Sequence, residues 1–119
     1  MSNSVMQFQI LSKAPEETSK FYSGLFGWKV NSDNPMGYRE IDTGTKEGIQ
    51  GGIWPAPPQA PNFVQLFIAV DDVTAYAAKA QGLGGKILIP PTTLPDGGTM
   101  CVLHDNQGMS FGLWKKPAA

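Results

Sequence analysis

The chain has 119 residues, 41% hydrophobic and 16% charged, with nine basic and ten acidic side chains and a formal charge of −1. That length suits one compact globular domain able to bury about two-thirds of its unfolded surface, and the lack of any Lys/Arg run excludes the cationic footprint of a nucleic-acid binder. No apolar stretch approaches the ~20 residues of a membrane span, the N-terminus lacks a signal peptide's apolar core, and the single cysteine, Cys101, has no internal partner, so a cytoplasmic location is expected.

Residues 5–11 alternate, with Val5, Gln7, Gln9 and Leu11 on one face and Met6, Phe8 and Ile10 on the other, the period of a strand. The second face is wholly apolar and calls for a covering helix. Pro15 suits the first turn of that helix, with Glu16 and Glu17 near its positive end. Phe21, Leu25 and Phe26 recur at helical spacing, and Gly24 and Gly27 loosen and end the helix. A second strand begins at Trp28 and is broken by Asp33-Asn34-Pro35. Residues 38–43 form the next strand, a turn runs over 44–48, and another strand covers 49–54.

Residues 55–61 contain four prolines and read as a stiff linker. The pattern then restarts: a strand over 63–70, Asp71 and Asp72 opening a helix over 73–82, and a strand over 86–89. A loop over 90–98, a strand over 99–103, a turn over 105–108 and a strand over 109–114 complete it. Each half reads strand-helix-strand-strand-strand. The wording repeats as well: Phe21 to Val30 is echoed 57 residues later by Ala78 to Ile87, and Gln50 to Trp54 is echoed 60 residues later by Ser110 to Trp114. Such repetition means two copies of one unit.

That order, with Phe21-Tyr22, Leu25-Phe26-Gly27-Trp28, Val70-Asp71-Asp72-Val73, Gly84-Gly85-Lys86 and Asp105-Asn106-Gln107-Gly108, resembles the vicinal oxygen chelate superfamily. This group includes glyoxalase I, bleomycin-resistance proteins, fosfomycin-resistance enzymes and extradiol dioxygenases. The resemblance implies an α+β fold of paired βαβββ modules whose eight strands curl into a cup with the helices outside. It implies one domain over 1–119, with module one at 1–54, the linker at 55–61 and module two at 62–119.

Enzymes of this family hold a divalent metal at four equivalent positions in the cup. Carried onto this chain, those positions are Gln7, 14 residues before Phe21; Gln65, seven before Asp72; Gly112, four past Gly108; and its repeat partner Gly52. Glycine has no side-chain donor, and neutral amides do not replace the carboxylates that supply charge and often the catalytic base. The expectation is a cup with no metal and no cofactor. Glycines at those positions are expected to leave volume. Alternation adds Gln9, Phe67, Trp54 and Trp114 to the expected ligand-binding set of Gln7, Gln65, Gly52 and Gly112, suited to a small organic molecule. The plainer role for Gln7 and Gln65 is to bond each other or water, and for the two tryptophans to pack the rim.

Other groups have structural readings. His104 beside Asp105 imitates a base and its orienter, but neighbours in a strand point to opposite faces. Cys101 reads as a buried apolar residue, and Asp71-Asp72 as helix capping. Tyr38, Glu40 and Asp42 share one strand face and Arg39 and Ile41 the other. If the first set faces the cup, Glu40 is the available carboxylate base, with His104 the weaker candidate. Three functions stay open: a metal-free small-molecule binder, an isomerase or lyase (or a metal-dependent glyoxalase- or dioxygenase-type enzyme) acting on a small oxygenated substrate, and a non-catalytic interaction module. The expected partners are a small-molecule ligand and a second copy in a homodimer, with neither nucleic acid nor membrane.

Overall fold

The computed structural model describes residues 3–33 and 38–117. Alternation, capping residues and prolines set the elements in the expected order. The first half runs β1 (Val5–Ser12), α1 (Pro15–Phe26), β2 (Lys29–Asn31), β3 (Arg39–Asp42) and β4 (Gln50–Pro55). The second runs β5 (Phe63–Ala69), α2 (Val73–Gly82), β6 (Lys86–Thr93), β7 (Thr99–His104) and β8 (Ser110–Lys115). The expected break at Asn34-Pro35 lies outside the described residues.

By compactness the chain divides into residues 7–65, and residues 1–6 with 66–119. Within the first unit the strands lie in the order β2-β3-β4-β1; within the second the order is β5-β8-β7-β6. The first and last strands of each repeat run parallel, β1 with β4 and β5 with β8, and the other pairs are antiparallel. Parallel neighbours need a long crossover, and the helix with two intervening strands provides it.

Helix α2 matches its signals. The Asp72 carboxylate accepts the Ala75 N–H at 3.0 Å, so Asp71-Asp72 is a cap, and Val73 and Ala77 bury against Val70, Cys101, Leu103 and Leu113. Helix α1 differs from its sequence reading. Phe21, Leu25 and Phe26 were expected to mark the buried stripe, yet they are 62%, 60% and 57% exposed. The inward face is instead Pro15, Thr18, Ser19, Tyr22 and Ser23, at the same spacing but rotated, and only Ser19 is fully buried. Small side chains let α1 lie on β4 and β2, and the Ser19 hydroxyl is satisfied by the Pro15 carbonyl at 2.8 Å. Gly27 closes the helix at φ 73°.

Strand β6 is longer than expected. Residues 90–93, assigned to a loop from sequence, continue the strand, with register shifts between Ile87 and Ile89 and between Ile89 and Thr92. β6 is outermost in its unit, so Pro90 and Pro91 remove donors that no neighbouring strand needs. No helix among the described residues is long and apolar enough to cross a membrane.

Candidate functional site

Register decides which side chains share a face. Gln9 pairs with Gly52 and Gly52 with Glu40, so these three form one row across β1, β4 and β3. Tyr38, Glu40 and Asp42 therefore project from the face of Gln7 and Gln9. Arg39 and Ile41 point to the helix side, where Arg39 donates to Glu16 Oε1 through Nη2 at 2.8 Å and Nε at 3.2 Å. That guanidinium holds the Glu16 carboxyl below its ordinary range.

Beside the row lies a buried amide pair. Gln65 Nε2 donates to Gln9 Oε1 at 2.7 Å, and the two residues are 4% and 8% exposed. The partner of Gln65 in this bond is thus Gln9. Gln7 sits half-buried, level with Gln50.

The glycines do not leave the expected volume. A Cβ on Gly52 would clash with the Tyr38 ring, and one on Gly112 with the Phe67 ring. Phe67 stands directly opposite Gly112 in the β5–β8 ladder, as Phe8 stands opposite Gly51 on the helix side of β1–β4. An aromatic ring laid over a facing glycine fills the gap that the missing side chain creates. In the first repeat the position level with Gly52 on β1 is Gln9, so the ring comes from the other neighbour, Tyr38. Tyr38 also stacks on Trp54, with centroids 4.8 Å apart and planes at 24°. Burial, and secondarily the Glu40 charge, raises the Tyr38 phenol, which stays protonated at any physiological pH. The role of Tyr38 was missed from sequence; its signal was an aromatic beside a strand that pairs with glycine.

The remaining candidates fall as follows. Glu40 is exposed on the amide face; Trp54 and Trp114 are half-buried, and Phe67 is buried. His104 is half-buried, level with Lys86 and Ser110. Asp105 is engaged in its own turn, where its Oδ1 accepts the N–H groups of Met109 at 3.0 Å and Gln107 at 2.8 Å. Those bonds hold the Asp105 carboxyl below its ordinary range, with the His104 charge a lesser contribution. Cys101 is fully buried and burial pushes its thiol up, so it is a core residue.

The residues that the resemblance places at the family's metal positions do not supply a divalent cation's donors. Two carry no side chain and are roofed by rings, and Gln7 and Gln65 bring one neutral amide oxygen each, with no anionic donor. Among the described residues no three His, Cys, Asp or Glu side chains come together. What the face offers is neutral amides, stacked rings and two exposed carboxylates, Glu40 and Asp42, the latter accepting the Gly44 N–H at 2.9 Å.

Two βαβββ repeats, each with a parallel outer pair and a flanking helix, define a class of α+β protein built by duplication. The family model described as Glyoxalase/Bleomycin resistance protein/Dioxygenase superfamily matches residues 4–113, and the chain belongs to that superfamily. It is 36% identical over 104 residues to the Mycobacterium tuberculosis protein named "Putative glyoxylase CFP32", covering 81% of this chain and 39% of that protein. It is 24% identical over 125 residues to the anthracycline biosynthesis protein DnrV of Streptomyces peucetius, covering 92% and 46%. The chain therefore spans less than half the length of these curated relatives. Among solved structures, a hypothetical protein from Bacillus halodurans superposes with a TM-score of 0.69 at 15% identity, over 100% of this chain and 98% of that one. Streptomyces coelicolor methylmalonyl-CoA epimerase, in complex with 2-nitronate-propionyl-CoA, gives 0.63 at 19% identity over 100% and 98%. These structural likenesses establish the fold.

Proposed function

We propose that this chain binds a small organic molecule on its amide-and-aromatic face without a divalent cation. The observation that carries the reading is the buried Gln9–Gln65 pair beside a glycine roofed by Tyr38, where relatives of the metal-dependent type need charged donors. Such a face selects by hydrogen bonding and stacking. Gln7, Gln9, Gly52, Trp54 and Gln65 serve in the first unit, and Phe67, Gly112 and Trp114 in the second. Similarity to an anthracycline biosynthesis protein supports a polycyclic aromatic ligand. Isothermal titration with doxorubicin tests it. The expected result is saturable binding that is indifferent to EDTA and weakened about tenfold by Gln9→Leu, the scale of one hydrogen bond lost at a desolvated site. No saturable binding of doxorubicin or of a panel of aromatic metabolites would remove the proposal.

A second reading, an isomerase or lyase acting on a small oxygenated substrate, is favoured by the register that sets Glu40 in the row of Gly52 and Gln9. There its carboxylate would take a proton from carbon next to a carbonyl. Glu40→Gln should then abolish turnover while ligand still binds; unchanged turnover would exclude Glu40. We further propose a homodimer, since β2 and β6 end their units' sheets with unpaired backbone edges. Sedimentation showing only monomer at micromolar concentration would refute it.

A further inference from the structure

The helix side of residues 7–65 carries a groove of about 360 Å³ that the amide face does not use. It opens where the end of β1, the middle of α1 and the start of β5 meet. Its walls are Ile10, Leu11, Phe21, Tyr22, Phe63 and Val64. Phe21 and Tyr22 meet edge to face, with centroids 5.3 Å apart and planes at 88°. Phe21 and Val64 are 62% and 60% exposed, apolar surface held in water beside a concavity. The volume lies at the small end of organic-ligand sites, which run from roughly 300 to 1,000 Å³.

The polar groups lining the groove are Ser12, Thr18 and Asn62, and proton counting shows what they can offer. Ser12 Oγ accepts the Ala14 N–H at 3.0 Å and lies 2.6 Å from Thr18 Oγ1. One hydroxyl proton occupies the space between those two oxygens, whichever donates, so the other proton is left for a further acceptor. Asn62 Oδ1 accepts the Lys13 N–H at 2.8 Å, which leaves the Asn62 amide NH2 as its remaining group. Both free functions are donors, and among the described residues no charged side chain lines the groove. The complementary molecule is neutral, has a flat apolar body for the aromatic walls, and carries a hydrogen-bond acceptor for the hydroxyl pair and the amide.

We propose that this groove is a second binding site, taking a small neutral planar aromatic molecule with a carbonyl-type acceptor. The test uses the full chain with 2-acetonaphthone as probe and 2-ethylnaphthalene as its acceptor-free match, followed by amide chemical shifts. The expected result is ketone-induced shifts clustered at Ser12, Thr18, Phe21 and Val64. The ketone should bind about tenfold tighter than the hydrocarbon, the ratio one neutral hydrogen bond supplies. Thr18→Val should erase that preference, and Phe21→Ala should weaken both probes. The ketone-to-hydrocarbon ratio on the unaltered chain decides the matter if Thr18→Val does not fold. Equal affinities, shifts confined to Gln9, Gly52 and Trp54, or no shifts would overturn the proposal. So would a dimer in sedimentation that Phe21→Ala dissociates, because the groove would then be an interface between copies.

Discussion

Gly52 and Gly112 owe their identity to the rings above them, and that can be measured. Phe67 is buried, so it has little freedom to withdraw from a new methyl group. Gly112→Ala is expected to cost about 1–3 kcal/mol, the usual range for overpacking, by urea unfolding. In a Phe67→Ala background the same change should cost well under 1 kcal/mol; equal costs would mean that the ring is not the obstacle. A pH effect belongs to Asp105, whose carboxyl is held below its reference value of 3.8 by the turn N–H groups. A depressed folded-state pKa gives stability that is present above the unfolded value and lost as pH falls through the folded one. Asp105→Ala should therefore lower the Tm at pH 7, and the gap from the parent should narrow below about pH 4. A gap independent of pH would assign the effect to the turn's shape alone. The resemblance assigned four positions to the family's metal, but the surroundings of those residues could not be read from sequence. Tyr38 reaches Gly52 through the β3–β4 register, which strand period leaves open.

Among the elements, α2 and α1 show what makes a helix legible. Asp72 announces α2, and the small apolar residues after it have one face to bury. In α1 the most hydrophobic residues are not the ones that touch the sheet. Tyr22, Phe26 and Trp28 instead stack on one another, with Tyr22–Trp28 centroids 5.6 Å apart and Phe26–Trp28 4.9 Å. Aromatic self-association at the helix end thus competes with burial, and a sequence reading that ranks residues by hydrophobicity picks the wrong stripe. Leu25→Glu should change stability by no more than about 0.5 kcal/mol, as for other surface positions. Ser19→Leu should cost about 1–3 kcal/mol by forcing volume between α1 and β4. The opposite order in thermal unfolding would restore the hydrophobic stripe to the core. β6 teaches a related lesson: two consecutive prolines look like a loop but suit an outermost strand with an irregular register.

For the whole molecule, duplication was the most legible feature, because repeated wording survives even where individual strand limits shift by a residue or two. The donor set predicts how the folded state responds to cations. A metal held only by the native state would raise the Tm, by several degrees at 100 times its dissociation constant for a chain of about this size. Zinc, nickel or manganese in tenfold molar excess should leave the Tm within about 1 °C, and EDTA should not lower it. A metal-dependent rise that Gln65→Ala abolishes would contradict the donor-set argument. The rings over the glycines also constrain the chain's possible histories. A lineage drifting toward metal chemistry would need a carboxylate at residue 52 or 112, and that step is obstructed until Tyr38 or Phe67 has first been pared down. Shrinking either ring beforehand opens a void with no immediate reward. The two changes are worthwhile only together, so neither is favoured as a first step.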